Sequence, residues 1–359
     1  MAEIKPFRAV RYGERTGPLD TLVAPPYDVI SPPEREELVA KNPHNVVHLT
    51  LPDDEADAGR LWAEWRGDQT LVDEEEPGFC WLSQDYVGPD GVARTREGLV
   101  AALRVEPYEN RVVLPHERTH RGPKEGRLRL LREVEAQLEP LFFLYEGAPP
   151  ATRPDREPDL EVEGARFWRL PPAEISAAFA DRQLLIADGH HRYETALAYH
   201  EEKGTPESAY VLAVLVSLDD PGLMIFPTHR VFEREPAEKL NAEELPPDAE
   251  AALGSLNKLP PDRAAAVVYR GGSAELAVDG EGELDVSLVD RLGHEGISYT
   301  PDWQEAVKAV DEGEAAVAVL MRPTRIEDVF AVAQRGETMP QKSTYFYPKL
   351  VSGLLFLPL

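Results

Sequence analysis

The chain has 359 residues, of which 42% are hydrophobic and 29% charged, so it can bury a large core and is not of the disordered class. Its formal net charge of -27 argues against nucleic acid as a principal partner, because affinity for a polyanion depends largely on neutralising phosphates. A single cysteine, Cys80, excludes an internal disulfide and any multi-cysteine zinc site.

The chain predicts a cytoplasmic protein without a membrane partner. The first residues, Met1 to Pro6, do not combine a basic segment with an apolar one, and nowhere do eighteen apolar residues follow one another. The apolar run from Leu350 to Leu359 is too short to cross a bilayer, so we expect it to be a tail docked on the core.

Apolar periodicity predicts a mixed α/β (α+β) protein in three segments. In segment 1–146 we expect strands at 46–51, 79–86, 99–105 and 141–145, and helices at 33–41, 56–69 and 124–137. A linker at 147–158 precedes segment 159–232, which has strands at 165–170 and 209–218. After an acidic, proline-bearing stretch, segment 262–359 has strands at 264–269, 275–278 and 315–321, and helices at 287–292, 303–312 and 326–335.

The most informative motif is the run Asp188-Gly189-His190-His191-Arg192, which follows an apolar strand and opens a helix that stops near Gly204. The first N–H groups of a helix lack internal partners and carry partial positive charge, so the turn suits an anion such as phosphate. Asp188 suits a metal ion or a proton. The alternative is that Asp188 only caps the helix and that the other side chains are solvated.

Two further motifs precede helices. Tyr27 and Asp28 follow a stiff Pro-Pro turn and lie before Ser31, the expected cap of the next helix. The run 114–123 contains His116, Glu117 and Thr119, and a glutamate beside a histidine is a candidate general base. With the Asp188 turn, this run offers ligands that favour magnesium or manganese over zinc. The alternative for both motifs is an ordinary polar loop.

The last two motifs carry cations. His229 and Arg230 lie at a strand, where arginine can bind a carboxylate or phosphate with two hydrogen bonds. The C-terminal run 339–349 has lysines and hydroxyls that suit phosphate, but the glycines of a P-loop are missing. The alternatives are an arginine paired with local glutamates and a buried strand with incidental lysines. The predicted contacts in this run are Lys342, Ser343, Thr344, Tyr345 and Lys349.

Over essentially its whole length, from Ile4-Lys5-Pro6-Phe7 through Ala24-Pro25-Pro26-Tyr27-Asp28 to Lys342-Ser343-Thr344-Tyr345-Phe346, the chain resembles the DUF1015 family. The Asp-Gly-His-His-Arg turn also resembles that of the ParB/sulfiredoxin-like superfamily, which includes kinases of free serine. This local resemblance implies a ParB/sulfiredoxin-like core in 159–232 with additional α/β segments. It also implies that a phosphoryl-transfer centre contains Asp188, His190, His191 and Arg192. The resemblance to DUF1015 implies a pyrophosphate-dependent serine kinase and a role in serine biosynthesis.

The sequence therefore predicts a phosphotransferase that acts on free L-serine or, in reverse, on O-phosphoserine. The expected donor is pyrophosphate or an adenine nucleotide, and the expected cofactor is Mg²⁺ held by Asp188. Glu117, or else Asp28, is the expected base, beside His116. The expected substrate contacts are Gly189, Tyr27, Asp28, Thr119, His229, Arg230, Lys342, Ser343, Thr344, Tyr345 and Lys349. The alternatives are a ParB-like nucleotide-binding regulatory module and a metal-dependent phosphohydrolase.

Overall fold

The computed structural model of the chain describes residues 1–117, 121–162, 164–171, 175–281 and 283–359, without the side chains of 121–123, 280 and 281. The helices are α1 (Pro32–Lys41), α2 (Val47–Thr50), α3 (Glu55–Gly67), α4 (Arg121–Val134), α5 (His190–Lys203), α6 (Ala249–Leu256), α7 (Asp285–Asp290), α8 (Trp303–Asp311) and α9 (Ile326–Gln334). Within these ranges, no helix is long and apolar enough to span a bilayer.

The strands alternate with these helices along the chain, so the predicted mixed α/β class is confirmed. They are β1 (Ile4–Lys5), β2 (Val10–Tyr12), β3 (Leu71–Asp73), β4 (Phe79–Val87), β5 (Ala93–Arg104), β6 (Val113–Leu114), β7 (Ala136–Gln137), β8 (Leu141–Tyr145), β9 (Leu160–Val162), β10 (Ala165–Leu170), β11 (Leu184–Asp188), β12 (Tyr210–Ser217), β13 (Met224–Phe226), β14 (His229–Phe232), β15 (Ala242–Leu245), β16 (Arg263–Tyr269), β17 (Ala274–Glu281), β18 (Ile297–Thr300), β19 (Val317–Leu320), β20 (Tyr345–Tyr347) and β21 (Leu357–Pro358).

Two sheets form the framework. The larger sheet has the order β6-β11-β8-β12-β5-β4-β10-β9, with β1 paired to β5, and it is parallel at β6/β11 and at β8/β12. The smaller sheet has the order β15-β17-β16-β19-β14-β18. The larger sheet thus combines strands of the first two predicted segments. In the smaller sheet, β14 of the second segment pairs with strands of the third. Hydrogen bonding therefore crosses the predicted boundaries at 146 and 232.

Apolar side chains hold the two sheets together. One buried cluster runs from Val100 and Val214 of the larger sheet to Val268 and Val319 of the smaller one. The C-terminal run lies in the same cluster, where Leu354 is 4% exposed, and β21 pairs with β7. The expected docking of this tail on the core is confirmed.

Local signals explain most element boundaries, with one exception. The Ser31 N–H donates to Glu34 Oε2 at 2.7 Å, so α1 begins with the expected cap. The run 46–51, which we expected to be a strand, instead contains α2. Its start is fixed by the buried Asn45, whose Oδ1 accepts from the Val47 N–H at 3.0 Å. Periodicity alone does not distinguish a short buried strand from a short buried helix.

Candidate functional site

The turn that opens the site is built by β11 and α5. The strand ends at Asp188, Gly189 adopts a left-handed φ of 97°, and the helix begins at His190, as the sequence predicts. A Cβ on Gly189 would lie 3.2 Å from Arg192 Nη2 and from Leu141 Cγ, so both the backbone and the space require glycine. Among the described residues no side chain caps α5, and the partial positive charge at the start of a helix suits an anion.

Asp188 is an ion-pair partner rather than a helix cap. Its Oδ2 accepts from Arg192 Nη2 at 2.7 Å, and its Oδ1 pairs with Lys349 Nζ. Burial disfavours the charged carboxylate, but Lys349 and Arg192 outweigh it and hold the pKa of Asp188 well below its usual value. Arg192 also donates to the Pro140 carbonyl at 2.8 Å. The three charged groups therefore form a fixed unit of net positive charge.

Two histidines lie beside this unit, the buried His116 and the half-buried His190. His116 Nδ1 lies 2.7 Å from the Ile186 carbonyl and its Nε2 lies 3.0 Å from Thr344 Oγ1, so His116 ties β11 to the C-terminal run. His190 Nε2 accepts from the His116 N–H at 3.3 Å. Burial lowers the pKa of His116 to about 4 and that of His190 well below its usual value. Both shifts favour the neutral imidazoles, and His116 has a structural position between β11 and the C-terminal run.

Glu117 lines a cavity that it shares with Asp188 and His190. Its backbone is held by the C-terminal run. The preceding carbonyl, that of His116, accepts from the Met339 N–H at 2.7 Å, which fixes the backbone at this point. Burial raises the pKa of Glu117 to about 7, although the nearby Lys342 opposes the shift. A carboxyl group with a pKa near neutrality can accept a proton at working pH and release it again.

The segment with Tyr27 and Asp28 closes another side of the cavity. The Tyr27 N–H donates to Glu139 Oε1 at 2.9 Å, and its ring lies 3.5 Å below the Arg127 guanidinium. Asp28 lines the cavity with its carboxylate exposed to solvent. The loop is thus positioned by a buried glutamate and a cation–π contact.

Four of the five predicted segments, all except the one with His229 and Arg230, contribute residues to one cavity of about 340 Å³. Such a volume lies at the lower end of the range typical of small-molecule sites. The cavity combines the α5 N-terminus and three cationic side chains with carboxylates at its edge. Its lining comprises Tyr27, Asp28, Glu117, Ala187, Asp188, Gly189, His190, His191, Arg192, Gln341, Lys342, Thr344, Phe346 and Lys349.

Several predicted contacts do not line this cavity. His229 accepts from the Met321 N–H at 3.0 Å, and Arg230 donates to the Thr228 carbonyl at 3.0 Å, so both serve the smaller sheet. Ser343 Oγ donates to the Pro340 carbonyl at 2.5 Å within its own turn.

Two other predicted contacts have different outcomes. Tyr345 contacts Lys349, whose Nζ lies 5.7 Å from the ring centroid, instead of lining the cavity. Thr119 lies outside the described residues.

The sequence interpretation missed two charged residues that support the site. Glu139 is 5% exposed and, besides Tyr27, accepts from Ser352 Oγ at 3.2 Å. Arg127 lies on α4 and donates to the Thr50 carbonyl at 2.6 Å. A glutamate directly before the apolar strand β8 was a visible signal for the first, whereas nothing marks Arg127 among the other arginines of α4.

The residues at Asp188 do not fit a magnesium site held by the protein. Both carboxylate oxygens already face cationic side chains, and the described ranges contain no group of three His, Cys, Asp or Glu side chains arranged for a metal. Mg²⁺ usually takes oxygen ligands from one or two carboxylates together with substrate phosphates. The metal-ligand role expected for Asp188 does not fit this arrangement, because Lys349 and Arg192 pair with its oxygens.

A family described as a protein of unknown function, DUF1015, matches residues 4–297. No curated protein matches.

Three solved structures are similar to this chain at low identity. A free serine kinase in complex with AMP is 17% identical over 68% of this chain and 88% of its own, with a TM-score of 0.42. A conserved hypothetical protein from Pyrococcus furiosus is 18% identical over 67% and 89%, with a TM-score of 0.39. SbnI with a C-terminal truncation, from Staphylococcus aureus, is 12% identical over 70% and 85%, with a TM-score of 0.40.

Proposed function

The chain belongs to the DUF1015 family, and we propose that it is a phosphotransferase that phosphorylates free L-serine, with pyrophosphate or an adenine nucleotide as donor. The observation that carries the proposal is the convergence of an uncapped helix N-terminus, the Asp188 ion-pair unit and Glu117 on one cavity. The resemblance of the Asp-Gly-His-His-Arg turn to that of free serine kinases supports the same chemistry.

The cationic groups of the cavity are suited to bind the phosphate groups of the donor. Phosphoryl transfer depends mainly on positioning and on stabilising the charge of the phosphate oxygens. The N–H groups at the start of α5 donate hydrogen bonds to the oxygens of the transferring phosphoryl group, and Lys349 and Lys342 neutralise the remaining charge. Asp188 keeps Lys349 and Arg192 in place, so these cations are oriented before the donor binds. Any Mg²⁺ that enters with pyrophosphate or a nucleotide is part of the donor.

Glu117 is the proposed base for the acceptor, the hydroxyl group of serine. Its carboxylate takes the proton of the serine hydroxyl as the oxygen attacks phosphorus, a new O–P bond forms, and the bond from phosphorus to the leaving phosphate or nucleotide breaks. Asp28 is the second candidate for this role, since it lines the same cavity. In the reverse direction, Glu117 returns the proton to the serine oxygen while phosphate or a nucleotide accepts the phosphoryl group.

The test is product analysis with the full-length protein. L-serine is incubated with pyrophosphate, ADP or ATP, each as its magnesium complex and in excess chelator, and phosphoserine is measured by mass. We expect phosphoserine from at least one donor, and its loss in Glu117→Gln. Release of phosphate from the donors without any acceptor would favour the phosphohydrolase. Nucleotide binding without turnover would favour the regulatory module, and either result would overturn the proposal.

A further inference from the structure

Arg96, on β5, is a buried arginine that no ion pair accounts for. It is 1% exposed, and among the described residues it has no salt bridge and its Nε and Nη1 have no hydrogen-bond partner. Burial lowers its pKa to about 10. Burying a cation without a counter-charge is costly, so a well-packed apolar residue of similar size would suit the fold better. A role beyond stability is therefore the physical reason to retain it.

The remaining nitrogen of Arg96 reaches the segment that carries Lys349. Its Nη2 donates to Gln84 Oε1 at 2.6 Å and to the Pro348 carbonyl at 2.8 Å. Gln84 is the cross-strand partner of Arg96 on β4, and its Nε2 lies 3.5 Å from the Lys349 carbonyl. The pair thus faces two consecutive carbonyls, one on each side of the Lys349 backbone N–H.

The same guanidinium also touches the strand beside the Asp188 turn. It lies 4.5 Å from the ring centroid of Phe142, a cation–π contact that offsets part of the desolvation. Phe142 on β8 is the register partner of Asp188 on β11. Arg96 therefore contacts the backbone next to Lys349 and a side chain of β8, the strand that is paired with the end of β11 at Asp188.

We propose that Arg96 is a positioning residue that, with Gln84, fixes the Pro348–Lys349 backbone so that the Lys349 ammonium meets Asp188 in the cavity. The planar guanidinium donates from Nη2 to both Gln84 and the Pro348 carbonyl while its face packs on the Phe142 ring, a combination that neither methionine nor the non-planar ammonium of lysine reproduces. The consequence for phosphate binding rests on the proposed function, whereas the placement of Lys349 does not.

The first experiment measures the placement of Lys349 without any substrate. Folded wild type, Arg96→Met and Arg96→Lys are labelled with a trace of acetic anhydride, and acetylation is quantified at Lys349 and at Lys308, an exposed control on α8. We expect Lys349 to react about fivefold faster in Arg96→Met, because a free amine opens to reagent more often than an ion-paired one. Arg96→Lys should lie between, and Lys308 should not change. Unchanged labelling of Lys349 in folded Arg96→Met would overturn the proposal.

The second experiment measures pyrophosphate affinity by calorimetry and phosphoserine kinetics. Arg96→Met should raise the dissociation constant or the donor KM by about tenfold while the thermal midpoint stays equal or rises. In a Lys349→Gln background the same change should add almost nothing, because both substitutions remove one interaction. Additive losses, or a loss of stability that parallels the loss of binding, would assign Arg96 a purely structural role.

The two experiments separate the two proposals. If wild type forms no phosphoserine, the proposed function fails while the labelling result still decides the role of Arg96. If Arg96→Met does not fold, Gln84→Leu removes the contact to the Lys349 carbonyl and the acceptor of Arg96 Nη2. Faster labelling of Lys349 in Gln84→Leu would support the positioning role, and unchanged labelling would overturn it.

Discussion

At the end of β11, Arg192 lies against the Asp188 carboxylate, whereas on β14 of the smaller sheet Arg230 has no ion-pair partner within the described ranges. Arg230 donates instead to the Thr228 carbonyl and to Met321 Sδ, and burial lowers its pKa. Both arginines follow a histidine in the sequence. The difference between them is that charges of both signs meet beside a cavity in the larger sheet, while in the smaller sheet a single cation is enclosed by carbonyl and apolar groups.

This difference shows what turns a polar motif into a site. A His-Arg pair at the end of a strand is compatible with phosphate binding or with packing. At the end of β11 in the larger sheet, a helix begins and the C-terminal run returns, so the cations there line a cavity. The smaller sheet pairs β14 on both sides, with β18 and β19, and the side chains of β14 are buried.

The largest expected effect comes from breaking the ion pairs of Asp188, compared with breaking a similar ion pair far from the cavity. Asp188→Asn leaves Lys349 and Arg192 without their carboxylate, so we expect phosphoserine formation to fall about 10³-fold or more and the free energy of unfolding to fall by about 3 kcal/mol. Asp285→Asn breaks the pair between the start of α7 and Arg322, which follows β19 of the smaller sheet, and it should cost similar stability without changing donor affinity. Denaturant unfolding and steady-state kinetics at a temperature where both variants are folded measure the two effects.

An equal loss of donor affinity in both variants would show that instability, rather than the position of the charge, explains the loss in Asp188→Asn. A stable but inactive Asp188→Asn would show that the ion pairs contribute little to folding and would weaken the contrast between the sheets.

The next effect concerns the pH dependence of Glu117. We expect Glu117→Gln to lower turnover about 10²-fold, and wild-type kcat/KM to rise with pH through about 7 as the carboxyl group loses its proton. Folded Glu117 binds its proton up to about pH 7, while the unfolded chain releases it near 4.5, so stability decreases as pH rises across this window. Glu117→Gln should remove that slope.

Unfolding measured from pH 4 to 8 and a pH profile of kcat/KM test both statements. Glu305→Gln, on α8 of the smaller-sheet side, is a control that should change neither. A wild-type profile without an inflection near neutrality would exclude Glu117 as the base and leave Asp28 for that role.

A smaller effect is expected when two cationic side chains are replaced, Lys349 in the cavity and Arg230 in the smaller sheet. Lys349→Gln should weaken pyrophosphate binding about tenfold, because a charge-assisted contact in the cavity is lost. Arg230→Met should leave binding unchanged and leave stability equal or higher, since a buried cation without an ion pair is replaced by an apolar side chain. Calorimetric titration with pyrophosphate measures the first and thermal unfolding the second. Weaker binding in Arg230→Met would return Arg230 to the substrate contacts that the sequence predicted.

Patterns local in the chain were predictable from the sequence. The strand bounds of β8 and β10, the strand-turn-helix at Gly189 and the cap of α1 depend on neighbouring residues, and the structure has them as expected. The short α2 was not predictable, because its start depends on the buried Asn45, which also donates to the Thr21 carbonyl. Periodicity over a few residues does not contain that contact.

The composition of the site was predictable in part. Residues such as Lys342 and Lys349 were expected near Asp188 from the clustering of reactive types, and both line the cavity. The pairing of Lys349 with Asp188 and the support from Glu139 join residues far apart in the chain, and one sequence contains no record of such pairs. For the same reason the sequence predicts a metal ligand at Asp188 and does not reveal its cationic partners.

The smallest effect tests whether the hydrogen bond beneath the cavity differs from one elsewhere. Thr344→Val removes the partner of His116 Nε2, which should cost about 1 kcal/mol of stability and shift kcat/KM severalfold, because His116 ties β11 to the C-terminal run. Tyr269→Phe removes the bond to Asp311 in the smaller sheet and should cost a similar amount with unchanged kcat/KM. Denaturant unfolding and kinetics of both variants measure the contrast. If kcat/KM responds equally to both, the neutral histidine pair has no special connection to the chemistry, and the site extends no deeper than the residues that line the cavity.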